Sequence, residues 1–215
     1  MLNLIKKDFL IIKKTWIIVF IIALIIPLFF DFVSAKEGVV VPAAITLISM
    51  TMVLSVMTLS HIYSQDEMYP KAAAMITTVG YPRDLQIIER YVLAYLFYLY
   101  CVCGYALETL VVSSLSPITM AAIAASLCSY TLIVSLYIAV TNKFGEGAGR
   151  YVFIAVVMLI SIGPSILSSL NFHPNLEFLT TISDITITLV FAAVSLIALA
   201  VSLTISLRSY RIKEL

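Results

Sequence analysis

The chain has 215 residues and 23.7 kDa, 62% of them hydrophobic and only 12% charged, with a mean hydropathy of +1.09. A soluble domain carries about twice that share of charge, so a soluble enzyme, a disordered chain and a disulfide scaffold are excluded in favour of a membrane protein. A net charge of +1 leaves no electrostatic footprint for nucleic acid. Cys101, Cys103 and Cys128 all sit inside apolar runs and read as small hydrophobes, not as a disulfide or metal framework.

Residues 1–14 have helical patterning. Leu2, Ile5, Phe9, Ile12 and Trp16 fall within an arc of about 80° at the α-helical period. Lys6, Lys7, Lys13 and Lys14 fall on a neighbouring arc. Two readings stand: an amphipathic helix lying in the membrane interface, with lysines at anionic head groups and Trp16 at the boundary, or a plain basic anchor for the first span. A signal peptide cut after Val33-Ser34-Ala35 is disfavoured because the preceding apolar run is too long and contains Pro27. The mature chain is therefore expected to begin near Met1.

Six stretches reach the roughly 20 apolar residues that a spanning helix needs: about 15–32, 39–62, 91–113, 117–140, 151–170 and 182–207. With both termini in the cytoplasm, every one of the 13 Lys and Arg residues except Lys36 falls inside, as the positive-inside rule requires. The outer loops are short. The sizeable polar segment is 63–90, facing the cytoplasm. It opens with Asp66 and Glu67, followed by Pro70 and the Ala-rich run from Lys71. Acids in a first turn, Pro near the start and Ala thereafter predict a short helix, ended by Gly80-Tyr81-Pro82. Ala73, Ile76 and Val79 give it a small apolar face suited to docking in a partner's groove. A second helix is expected to open at Arg83-Asp84 and run into the third span.

That span carries Tyr91, Tyr95, Tyr98 and Tyr105 within an arc of about 80°. Buried phenols normally bond to neighbouring helices, but the same stripe would also serve as an aromatic wall for an amphipathic substrate. Glu108 is the one acid well inside a span, about 7 Å from its outer end at the helical rise. It either reaches the outer surface or lines the exit of a pathway. Gly145–Gly149 lacks the Lys-Ser/Thr of a phosphate loop and reads as a tight turn between the fourth and fifth spans. Pro164 after Gly163 is expected to kink the fifth. Thr181, Thr188, Ser195 and Ser202, and Thr51, Ser55 and Thr58, mark close packing faces. No catalytic group, metal site or cofactor site is expected on the chain.

The order of these parts resembles the permease subunit of type-2 ABC transporters. Leu4-Ile5-Lys6-Lys7-Asp8, Asp66-Glu67, Lys143-Phe144-Gly145 and Arg150-Tyr151 carry the resemblance, while Pro82-Arg83 is shifted from the family's usual place. Within the family the layout is most similar to exporters of phenol-soluble modulin toxin peptides. The resemblance implies an all-α, polytopic fold of one domain, with six transmembrane helices, an N-terminal interfacial helix and a short cytoplasmic coupling helix. It implies a bacterial plasma-membrane exporter of an amphipathic peptide or lipid-like cargo. Its partners would be a second permease copy, the lipid bilayer and a cytoplasmic ABC ATPase that holds the ATP and magnesium. Asp66, Glu67, Lys71, Ala73, Ile76, Val79 and Arg83 would dock that ATPase. Tyr95, Tyr98, Tyr105 and Glu108 are the candidate pathway residues. A secondary transporter using Glu108 and a broken fifth span is the alternative, and an intramembrane enzyme lacks the paired groups it would need.

Overall fold

A computed structural model describes residues 2–37, 41–69, 83–169 and 184–212, and among them the fold is all-helical. The helices are α1 (Leu2–Glu37), α2 (Ala43–Met68), α3 (Arg83–Val111), α4 (Met120–Phe144), α5 (Glu146–Ser169) and α6 (Asp184–Ile212). Four of them, α2, α3, α4 and α6, are long and apolar enough to cross a membrane, and α1 adds the shorter apolar stretch Ile17–Val33.

The structure differs from the sequence reading at the N-terminus. The basic segment 1–14 and the first span form one 36-residue helix, with Pro27 inside it. Nothing between Lys13 and Ile17 breaks a helix: there is no Gly and no Pro. Such a rod is about 54 Å long at 1.5 Å per residue, against a hydrocarbon layer of about 30 Å, so it extends beyond that layer. Lys6 is exposed and Lys7 half-buried; the side chains of Lys13, Lys14 and Trp16 lie outside the described residues. α2 also continues past its expected end to Met68, and α3 starts at Arg83, with Asp84 in its first turn where an acid favours a helix N-terminus. The connection between them shrinks accordingly. The expected helix at 70–78 lies outside the described residues. The turn between α4 and α5 narrows to Gly145 alone, at φ 94°. Glu146 already belongs to α5, which runs on through Gly163 and Pro164.

α2 is the central element, packed against α1, α3, α4 and α5, while α6 packs chiefly on α4. The centre contains Leu47, Met50, Leu54, Leu59, Phe97 and Tyr130, all essentially inaccessible. Gly104 lets α3 come close: a Cβ there would lie 3.1 Å from Leu24 and 3.3 Å from Met50. The small-residue faces pack as expected in part: Thr181 lies outside the described residues, and Thr188 is half-buried with its hydroxyl on the Asp184 carbonyl of its own helix. Ser195, Ser202 and Ser206 are buried, and the Ser202 hydroxyl donates to the Ser135 carbonyl at 2.9 Å. Thr51 and Thr58 bond to carbonyls of their own helix. By contrast, only 11% of the most apolar stretch of α6 is buried, so most of that helix presents apolar side chains outward.

One polar knot joins three helices at mid-bundle. The fully buried Tyr130 of α4 donates to the Ala94 carbonyl of α3 at 2.7 Å, and its oxygen lies 2.6 Å from the Ser55 hydroxyl of α2. A phenol has a single hydrogen, so Ser55 is the donor in the second bond. Tyr130→Phe would take from the buried Ser55 hydroxyl its acceptor and from the Ala94 carbonyl the hydrogen bond that it accepts beyond its own helix. The expected loss is about 1–3 kcal/mol, read as a lower thermal midpoint of the purified full chain, with Ser55→Ala in the same background recovering part of it.

Candidate functional site

Ser60, Tyr63 and Glu67 recur at helical spacing on the last turns of α2, with Asp66 beside them, so one end of the central helix gathers four polar side chains. Between them they reach every neighbouring helix of α2, with Ser60 and Glu67 sharing Glu146 of α5. Asp66 forms an ion pair with Arg90 of α3, and Lys7 of α1 stands 4.0 Å from its other oxygen. The Arg90 guanidinium lies 3.8 Å above the Tyr63 ring, a cation–π placement that also keeps the arginine flat. The Tyr63 hydroxyl donates to Asn142 Oδ1 of α4 at 2.9 Å. Ser60 donates to Glu146 Oε1 of α5 at 2.6 Å, and Arg150 pairs with the same carboxylate one turn further on.

Glu67 closes the arrangement. Its Oε1 accepts the Glu146 backbone N–H at 2.6 Å, so a carboxylate from α2 caps the N-terminus of α5, where helix amides and dipole favour negative charge. Gly145 makes room for it: a Cβ there would sit 3.1 Å from that oxygen and at a φ that L-residues avoid. Gly149 then holds α5 tight on α4, since a Cβ would fall 2.1 Å from the Thr141 hydroxyl. Altogether the end of α2 is tied to α1, α3, α4 and α5 immediately before segment 70–82.

The sequence-derived site residues distribute as follows. Asp66 and Glu67 both have partners within the chain. Arg83 begins α3. Lys71, Ala73, Ile76 and Val79 lie outside the described residues. Tyr98 and Tyr105 are buried in the core; Tyr98 donates to the Ile123 carbonyl at 2.9 Å and Tyr105 to the Ser116 carbonyl at 2.9 Å. Tyr91, on the same stripe, meets Ser202 and Ser206 of α6. Tyr95 is only half-buried, with its hydroxyl 3.0 Å from Thr131. It borders an open, apolar groove of about 420 Å³ between α3 and α6, with Val92, Leu96, Leu99, Leu199 and Leu203. Glu108 is half-buried, with one oxygen lacking a hydrogen-bond partner among the described residues. Sequence reasoning missed Ser60, Tyr63, Arg90, Asn142 and Glu146 as a unit. The available signal was the polar spacing on α2, which continues a helix past its apolar run.

A family model described as ABC-2 family transporter protein matches residues 3–211. The chain belongs to that family. It is therefore an integral membrane protein and a permease component of an ABC transporter, a transport subunit whose family works with an ABC ATPase. The match is to the family as a whole and lends no support to the finer likeness to toxin-peptide exporters. No curated protein and no solved structure matches the chain.

The cap on α5 has a direct test. Glu67→Ala should weaken the first turn of α5 by about 0.5–2 kcal/mol, the usual worth of a helix cap. Amide exchange at Glu146 and Gly147 should speed up correspondingly, while Glu67→Gln, which keeps a carbonyl acceptor, should hold exchange nearer to wild type.

Proposed function

We propose that the chain is the six-span permease of an ATP-driven exporter in the bacterial plasma membrane, with both termini cytoplasmic and α1 and α5 also crossing. It works as a dimer, with a second copy or a related permease, above two ABC ATPase subunits that bind ATP and magnesium. The observation that carries this reading is the tied end of α2. A partner pressing on segment 70–82 would move a helix end already joined to four others, so the push would reach the bundle without a flexible relay.

In this reading the docking face is built on Lys71, Ala73, Ile76, Val79 and Arg83. Asp66 and Glu67 serve mainly to pass the displacement on, to α3 and α1 through Arg90 and Lys7, and to α5 through its N-terminal amides. The orientation follows from the basic face, which the positive-inside rule assigns to the cytoplasm; export is what the resemblance to exporter permeases implies. The cargo is an amphipathic peptide or lipid-like molecule. The apolar groove beside Tyr95 supports this, because it opens sideways from the bundle and offers a phenol next to aliphatic side chains. Tyr98 and Tyr105 are buried in the core whereas Tyr95 is half-buried beside the groove, which leaves Tyr95 as the strongest pathway candidate of the stripe and Glu108 as a candidate at the exit.

The docking face is tested by Ile76→Asp. A charge buried without a partner in a small apolar contact is costly, so the variant should lose co-purification with the ABC ATPase by tenfold or more while its level in the membrane stays unchanged. Co-purification at the wild-type level would remove segment 70–82 as the docking element.

A further inference from the structure

α3 borders a second groove besides the one at Tyr95. The first runs along the N-terminal half of the helix, walled by Leu199 and Leu203 of α6. The second, of about 570 Å³, runs along the C-terminal half, where Val102, Ala106 and Thr109 face Pro117, Ile118 and Ile123. At the helical period, the α3 residues that line both grooves, from Ile88 to Thr109, fall within one arc of about 140°. The second groove therefore continues the first. Leu99 ends one and Val102 begins the other, about 4.5 Å further along the axis. Leu99 is 60% exposed, so the floor is open where the two meet. From Ile88 to Thr109 the line is about 31 Å long at the helical rise, against a hydrocarbon layer of about 30 Å.

The two halves differ in chemistry. The first is aliphatic apart from Tyr91 and Tyr95. The second adds the hydroxyls of Thr109 and Ser113 toward its far end. Thr109 gives its hydrogen to the Ala106 carbonyl at 2.8 Å, which leaves its oxygen as an acceptor. Size decides what could lie there. A helical peptide about 10 Å wide and as long as the line would fill on the order of 2,400 Å³. The grooves hold about 420 and 570 Å³. A single alkyl or prenyl chain is far thinner than a helix and fits within those walls. The outward face of α6 offers the comparison: Leu196 and Ile197 are 68% and 65% exposed and border neither groove.

We propose that the two grooves form one lateral track on α3, crossing the whole hydrocarbon layer, which binds the single alkyl or prenyl chain of an amphiphile. The polar end of that molecule meets the Thr109 and Ser113 hydroxyls at the C-terminal end of the track. The inference rests on the transport reading and narrows its cargo to the lipid-like class. Surrounding lipid tails are as apolar as the track, so its walls, not its apolarity, select the chain. A chain between walls keeps dispersion contacts on several sides that a tail on a bare helix face lacks. Passage along the track also leaves Tyr98 and Tyr105 packed in the core, so the bundle need not open around its cargo.

Binding to the track needs no ATP, so the full chain alone in phosphatidylcholine nanodiscs separates this inference from transport itself. The probe is a long-chain fatty acid with a diazirine near each end of its tail, and its cross-links are mapped by mass spectrometry. Labelling of α3 between Ile88 and Thr109 should exceed that at Leu196 and Ile197 of α6 by tenfold or more. Single probe molecules should also join residues on both sides of Leu99. Ala106→Trp, which fills the second groove, should lower labelling there by tenfold or more and remove the joined products. Should that variant fold poorly, excess unlabelled fatty acid gives a second reading: it should suppress labelling on α3 and leave α6 unchanged. Equal labelling of the two helices would mean ordinary lipid contact, and products confined to one half would mean two separate grooves. Either result overturns the proposal, while co-purification with the ABC ATPase would still support the permease reading. Labelling of α3 by a photoreactive amphipathic helical peptide in place of the fatty acid would overturn the choice of an alkyl chain.

Discussion

Asp66 and Arg90, stacked on Tyr63, hold the described bundle together where it is least able to rely on apolar packing. In lipid, helices gain little from hiding apolar surface, because the surrounding tails are as apolar as the side chains. Association then depends on close fit and on polar groups that have nowhere else to go. An ion pair at the basic end of the bundle meets that condition. It joins α2 to α3, draws Lys7 of α1 toward it, and fixes the tyrosine whose hydroxyl reaches α4. Removing either charge would leave the other half-desolvated beside an aromatic ring, and would loosen four helices together.

The same economy runs through the rest of the molecule. Tyr91, Tyr98, Tyr105 and Tyr130 all bury an aromatic body and give the hydroxyl to a neighbouring serine or a main-chain carbonyl. They act as staples, and their partners are the small hydroxyl residues that also permit close approach. α6 is the exception. Its serines are bonded inward while most of its apolar surface remains outward, as suits a helix that borders lipid or a second subunit. In the proposed function the two regions would divide the work, the polar tie at one end of α2 receiving a push and the groove at Tyr95 meeting an apolar molecule.

Much of this was legible in the sequence, for physical reasons that can be named. The apolar runs and the skewed distribution of Lys and Arg are direct consequences of a bilayer, so helical class and membrane residence could be read without any motif. The seven-residue recurrence Ser195–Ser202 marked a real packing face. Helix ends were less legible. α2 carries six residues beyond its apolar run to Met68, because side-chain partners on α5 and α3 keep polar turns helical that hydropathy alone would assign to a loop. α1 did not divide where its pattern changed, since amphipathicity describes which surface a helix shows and not where it stops. Asp66 and Glu67 read as first-turn acids of a separate docking helix because their partners, Arg90 and the Glu146 amide, are distant in sequence and carry no local periodicity.

Gly149 sets a limit on how this molecule can move. The gap that it leaves is already filled by Thr141 and by the ring of Tyr137, and Gly145 is occupied in turn by the oxygen of Glu67. Between α4 and α5 the spare volume lies only at Gly147, where a Cβ would meet nothing, while Gly145 and Gly149 have none. Bending toward those two closed positions therefore requires the oxygen of Glu67, and with it the end of α2, to withdraw first.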